Sequence, residues 1–101
     1  MRMPADKRFK LVARVSSSNL GAIRRVLEQA VTGGTVRADG DELVVESEMA
    51  GESAKELNRT LLSTLRRKEK RTRLRAEWTS EDGTVERYFD YVLKKRSRVG
   101  S

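Results

Sequence analysis

Arg66 to Arg75 reads RRKEKRTRLR and packs seven Lys or Arg residues into ten positions, against Glu69 alone. Cations at this density suit phosphates, since each guanidinium or ammonium can replace a counterion and donate a charge-assisted hydrogen bond. Cations at a helix C-terminus are also favoured by the helix dipole. That effect explains about two or three of the charges, not the whole run. The rest of the chain must hold this stretch, and its pattern places it where an amphipathic helix runs into a strand.

Other chemistries find little support. The 101 residues include no Cys and no His, which excludes thiolate nucleophiles, imidazole bases, disulfides and the usual zinc sites. Seven acids lie between Asp39 and Glu56 with Lys55 as the single base, but their spacing matches no calcium loop. They read as a solvated hairpin or a counter-charge to the basic part. The close acid pairs, Asp39 with Asp41 and Glu81 with Asp82, fall in predicted turns, where acids favour the turn itself. Gly33-Gly34 lacks the Lys and spacing of a phosphate loop. The expectation is a protein that is not an enzyme, with no catalytic residue, metal or cofactor.

The formal net charge of +7 and the sequence pI of about 10.2 favour polyanionic partners. No apolar run is long enough for a membrane span or a signal segment. A cytoplasmic protein without a membrane partner is expected.

Apolar periodicity supplies the scaffold. Phe9, Leu11, Ala13 and Val15 alternate with Lys10, Val12 and Arg14, which predicts a strand with one buried face. Ser16 to Asn19 offers helix-capping side chains. Leu20, Ile23, Leu27, Ala30 and Val31 follow at helical spacing up to Gly33-Gly34. Thr35 to Met49 reads as a hairpin around Asp39-Gly40. Ser53 and Glu56 form a capping box for a second helix, with Ala54, Leu57, Leu61, Thr64 and Leu65 inward and its end fraying over Lys68 to Arg71.

Thr72–Trp78 and Val85–Lys94 predict a last hairpin. A two-residue Asp82-Gly83 loop would pair Trp78 with Arg87, Ala76 with Phe89 and Arg75 with Asp90. Trp78 then faces inward, with the Arg87 guanidinium near its ring. The fold class expected is α+β, with two helices packed on one face of a four- to five-stranded sheet, in the order β-α-β-β-α-β-β of the split βαβ type. One basic domain spans residues 1–101, with a flexible leader at 1–7 and a loose basic tail at 95–101.

With both helices on one face, the other gathers Lys10 and Arg14 from the first strand and Arg73, Arg75, Tyr88 and Lys94 from the last hairpin. Arg66, Arg67, Lys70 and Arg71 extend this surface at the helix end, and Lys95 and Arg96 in the tail. A basic sheet carrying an exposed Tyr88 ring suits single-stranded DNA or RNA, bound with little sequence specificity. Arg71 and Arg73 are its expected centre. Val12, Val44 and Val92 fall on the same face and mark an alternative, a homodimer contact of an assembly subunit.

Two stretches also resemble a known family. Ala22-Ile23-Arg24-Arg25-Val26-Leu27-Glu28-Gln29-Ala30-Val31 and Leu57-Asn58-Arg59-Thr60-Leu61-Leu62-Ser63-Thr64-Leu65-Arg66 are similar to the two helices of the small dimerisation subunit of the KEOPS complex, which modifies tRNA. The resemblance spans about the first two-thirds of the chain by helix and hairpin patterning. It implies a dimer that works with a partner acting on RNA. The Asp-Gly hairpin followed by Lys94-Lys95-Arg96 resembles the ending of Alba-type chromatin proteins.

Overall fold

The alternation that begins at Lys7 buries Phe9, Leu11, Ala13 and Val15 and makes β1 (Lys7–Ser16) an inner strand. A computed structural model describes residues 7–31 and 33–98. After β1 come α1 (Leu20–Ala30), β2 (Thr35–Asp39), β3 (Glu42–Gly51), α2 (Ala54–Lys68), β4 (Arg73–Ser80), β5 (Thr84–Phe89) and β6 (Val92–Arg98). The strands form one sheet in the order β2-β3-β1-β4-β5-β6, and every pairing is antiparallel. Both helices pack on one sheet face. Ile23, Leu27, Leu62 and Leu65 meet Leu11, Val15, Leu74 and Trp78 there in one apolar core.

Local chemistry sets most element ends. The Asn19 side chain accepts from the Ala22 N–H at 3.2 Å and caps α1. Ser53 accepts from the Glu56 N–H at 3.1 Å and caps α2. Gly40 takes φ +65 in the β2–β3 turn, a left-handed conformation that glycine adopts without a Cβ clash.

The sheet has six strands, not four or five, and the element order gains a final strand. The expected strand Val85–Lys94 breaks at Asp90-Tyr91 into β5 and β6. Asp90 adopts φ 56, which Asp tolerates better than most residues. Its backbone N–H donates to the Leu74 carbonyl at 2.7 Å, and its carboxylate accepts from the Leu74 N–H at 2.9 Å. Asn58, 1% exposed, donates to the Asp90 carbonyl at 2.7 Å and accepts from the Trp78 indole N–H at 3.1 Å. The corner is thus held from α2, a contact that no local pattern announces.

The β4–β5 register also differs from the expectation by one residue. The loop is Glu81-Asp82-Gly83, with Gly83 at φ 89 and its N–H donating to the Ser80 carbonyl at 3.0 Å. Ala76 therefore pairs with Tyr88, Trp78 with Glu86 and Glu77 with Arg87. A one-residue slip exchanges the two faces of β5. Arg75 does not meet Asp90, and Arg87 lies across from Glu77 on the face away from Trp78.

Lys7 belongs to β1, and Lys95 and Arg96 belong to β6, so these ends of the expected leader and tail are strand. The remainder of the leader, 1–6, and of the tail, 99–101, lies outside the described residues. No helix among the described residues is long and apolar enough to cross a membrane.

Replacing Asn58 with Ala leaves the Trp78 N–H and the Asp90 carbonyl without their partner. Unpaired buried polar groups cost about 1 to 3 kcal/mol each, so urea denaturation of the variant should show a loss of about 2 to 6 kcal/mol. A change below about 0.5 kcal/mol, the scale of an ordinary surface substitution, would contradict this role.

Candidate nucleic-acid interface

The basic stretch forms the end of α2 and a tight turn into β4. The helix stops at Lys68, and the Glu69 N–H still donates to the Leu65 carbonyl at 3.0 Å. Thr72 is fully buried; its N–H and hydroxyl both donate to the Glu69 carbonyl, at 3.2 and 2.8 Å. Ser17 shares a 3.1 Å hydrogen bond with the Thr72 hydroxyl, and Ser18 donates to the Glu69 carboxylate at 2.9 Å. The turn is therefore pinned to the loop before α1. A shallow depression there is lined by Ser18, Glu69 and the cations Arg66, Arg67, Lys68, Lys70 and Arg71.

These cations differ in role. Arg66 is committed to the fold: its Nε donates to the Thr72 carbonyl at 2.9 Å, its Nη2 lies 3.3 Å from Asp90, and its guanidinium sits 5.4 Å from the Tyr91 ring centroid. Arg67, Lys68, Lys70, Arg71 and Arg73 are exposed and form no ion pair among the described residues. Arg73 opens β4 on the face away from the helices, since Leu74, Ala76 and Trp78 point into the core. Arg71 belongs to the turn before the strand.

The open sheet face is a different environment. Arg14 lies 3.0 Å from Asp39 and 3.1 Å from Glu42, and Arg75 lies 3.1 Å from the other oxygen of Glu42. Hydrogen bonding to Asp39, then to Glu42, pushes the Arg14 pKa upward. Arg87 meets Glu77 at 2.6 Å, Arg8 meets Glu48 at 3.1 Å and Arg37 meets Glu46 at 3.9 Å. The acids of the β2–β3 hairpin thus neutralise much of the face. Lys10 remains exposed on it without an ion pair among the described residues.

At the far edge, Lys94 is the extra residue of a bulge, because Tyr88 pairs with Leu93 and Arg87 with Lys95. Lys94 and Lys95 are exposed, whereas Arg96 lies 3.3 Å from Glu86.

Tyr88 is not the exposed ring that the expected register required. It is 5% exposed, packs in the core, and donates its hydroxyl to Glu86 at 2.8 Å. The same slip puts Phe89 on the open face, opposite Arg75 and Val92. Of the apolar trio, Val12 is 42% and Val92 57% exposed, but Val44 is 5% exposed and drops out of any contact surface. Phe89 and Lys68 are the surface residues that the sequence reading missed. Lys68 stood in plain view within the run. Phe89 was recoverable from Glu-Asp-Gly, which also fits a three-residue hairpin loop ending on a left-handed glycine.

Among the described residues, no three His, Cys, Asp or Glu side chains come together in a way that could hold a metal ion. Comparison with protein-family models, with curated proteins and with solved structures finds no match to this chain.

Burial, and then the hydrogen bond to Glu86, pushes the Tyr88 phenol up to about 12 from its ordinary 10.0. The folded state therefore favours the neutral phenol. Its contribution to stability is complete below about pH 10 and is lost as pH rises through about 12. Alkaline absorbance titration should show a tyrosinate step near 12 that Tyr88→Phe removes. Titration of Tyr88 complete by about pH 10.5, near the unperturbed value, would contradict the buried placement.

Proposed function

We propose that this chain is a non-enzymatic module that binds nucleic acid by its phosphates, with little sequence preference. The observation that carries the reading is the separation of cations into two sets. Arg8, Arg14, Arg75 and Arg87 over the sheet are tied to carboxylates, while Arg67, Lys68, Lys70 and Arg71 line one depression at the α2–β4 turn, Arg73 follows at the start of β4, and none of these five has an ion pair among the described residues. Unpaired cations on a pinned turn keep their attraction for phosphate and lose little freedom when they bind it. Both helices among the described residues pack on the sheet, so the contacts are taken to position a backbone and not to read sequence. The centre is the turn and Arg73. Arg14 and Arg75, with their carboxylate partners, contribute less.

A second reading has its own observation. Tyr91, Val92 and Leu93 are 48%, 57% and 42% exposed, consecutive, and at the start of the edge strand β6. That apolar edge suits the contact of an assembly subunit, such as one serving an RNA-modifying complex. Light scattering at high protein concentration should give a dimer if a second copy covers it, and Val92→Lys should dissociate that dimer. A monomeric wild type would remove the homodimer version.

Fluorescence anisotropy with a labelled oligonucleotide tests the main reading. Five phosphate contacts predict a log–log salt slope of about −3.5 on single strands. Replacing Arg67, Arg71 and Arg73 together with Ala should reduce the slope by about 2 and weaken all sequences alike. Undiminished binding by that variant would sink the proposal.

A further inference from the structure

A groove of about 380 Å³ lies on the sheet face opposite the helices. Val12 and Phe89 give it an apolar lining, and Arg14, Arg75, Arg87 and Lys94 surround them. Three of these four cations already have carboxylate partners, Arg14 and Arg75 through Glu42 and Arg87 through Glu77. A small free anion gains little in such a place. The features on offer are an aromatic ring, a valine and guanidinium planes held in position by their acids. That lining suits a flat, weakly polar group with charges attached at its sides.

The groove reaches Arg75 of β4, close along the strand to the basic turn. Arg73 and Arg75 share one face of β4, two residues and about 6.6 Å apart by strand rise, so the groove begins where the unpaired cations end. Lys94, exposed on its bulge and without an ion pair among the described residues, stands at the other side. A flat centre between unpaired cations matches a nucleotide, with its base in the groove and flanking phosphates on Arg73 and Lys94. A second copy of this chain fits less well, because it brings the same cations, and a net +7, toward these.

We propose that this groove takes one unpaired nucleobase, stacked on Phe89 and flanked by the Arg75 and Arg87 guanidiniums, and that it selects single strands over duplex. The inference rests on the nucleic-acid reading above and names its substrate class. In a duplex the base faces are stacked on their neighbours, whereas an unpaired base presents one.

The test uses the full chain and three labelled probes of about ten nucleotides: a single strand, the same strand in a duplex, and a strand of abasic sites that keeps the phosphates. Wild type should bind the base-bearing strand about ten-fold more tightly than the abasic one. Phe89→Leu keeps an apolar side chain and loses the ring. It should bring the base-bearing strand down to the abasic level and leave abasic and duplex binding unchanged, with its thermal midpoint reporting the fold.

Equal wild-type affinity for abasic and base-bearing strands would overturn the groove assignment. If the Arg67, Arg71 and Arg73 variant still weakens both strands, the phosphate reading survives that result. If that variant weakens neither, the phosphate reading fails as well. A Phe89→Leu loss that is equal on all three probes would assign Phe89 a structural role and overturn the stacking claim. A wild-type dimer that Phe89→Leu converts to monomer would give the groove to a second copy.

Discussion

Asn58 makes the contact on which the arrangement of the basic surface depends. One buried amide takes the Trp78 indole N–H and the Asp90 carbonyl, and so ties α2 to β4 and to the β5–β6 corner together. Around it the Asp90 carboxylate receives the Leu74 N–H and Arg66. Arg66 in turn reaches the carbonyl of Thr72, which anchors the turn. A buried amide that is satisfied on both sides stabilises one docking angle of the helix. Any other angle leaves a polar group unpaired in the core, at about 1 to 3 kcal/mol. This constraint holds α2 on the sheet, and the hydrogen bonds of Thr72, Ser17 and Ser18 then hold the turn that carries its cations.

Charge is sorted by the same architecture. Seven acids cluster between Asp39 and Glu56 with Lys55 as the single base, and the strand order β2-β3-β1-β4 brings this acidic hairpin beside β1 and close to β4. Glu42 can then serve Arg14 and Arg75 at once. Exposed ion pairs of this kind contribute about 0 to 1 kcal/mol each, so their main consequence is electrostatic. They quiet the arginines of the sheet face, while Lys10, the cations of the α2–β4 turn and Lys94 and Lys95 of the β6 edge keep no ion pair among the described residues. A surface that looks uniformly basic from the strand alternation becomes a groove of paired arginines, flanked by Arg73 and Lys94, which have no ion pair among the described residues.

Some of this was legible from the residues. The capping side chains Asn19 and Ser53 and the buried stripes of β1, α1 and α2 act over one or two turns of chain. Asn58 was legible in part: it occupies a core-facing position between Ala54 and Leu61. Its polarity carries no local sign of burial, because only its partners, 20 and 32 residues away, make it a core residue. The register of the last hairpin is ambiguous in the sequence for a related reason. Asp-Gly fits both a two-residue and a three-residue loop, and the choice depends on whether Tyr88 or Phe89 is the better neighbour for Ala76. Tyr88 enters the core because Glu86 lies in reach of its hydroxyl on the same face.

The sequence by itself determined that the chain is an α+β protein with two amphipathic helices, that its bases outnumber its acids, and that the densest cations lie between a helix and a strand. These are properties of periodicity and composition, which act locally and need no partner. Tertiary structure alone decided what the stretch RRKEKRTRLR can offer a ligand. It turned Arg66 inward to Asp90, gave Arg75 to Glu42 and left Arg67, Lys68, Lys70, Arg71 and Arg73 without ion pairs among the described residues. It also exchanged Tyr88 for Phe89 on the open face. The physical reason is the same in each case: a side chain's availability is set by the groups that pairing and packing bring to it from distant parts of the chain.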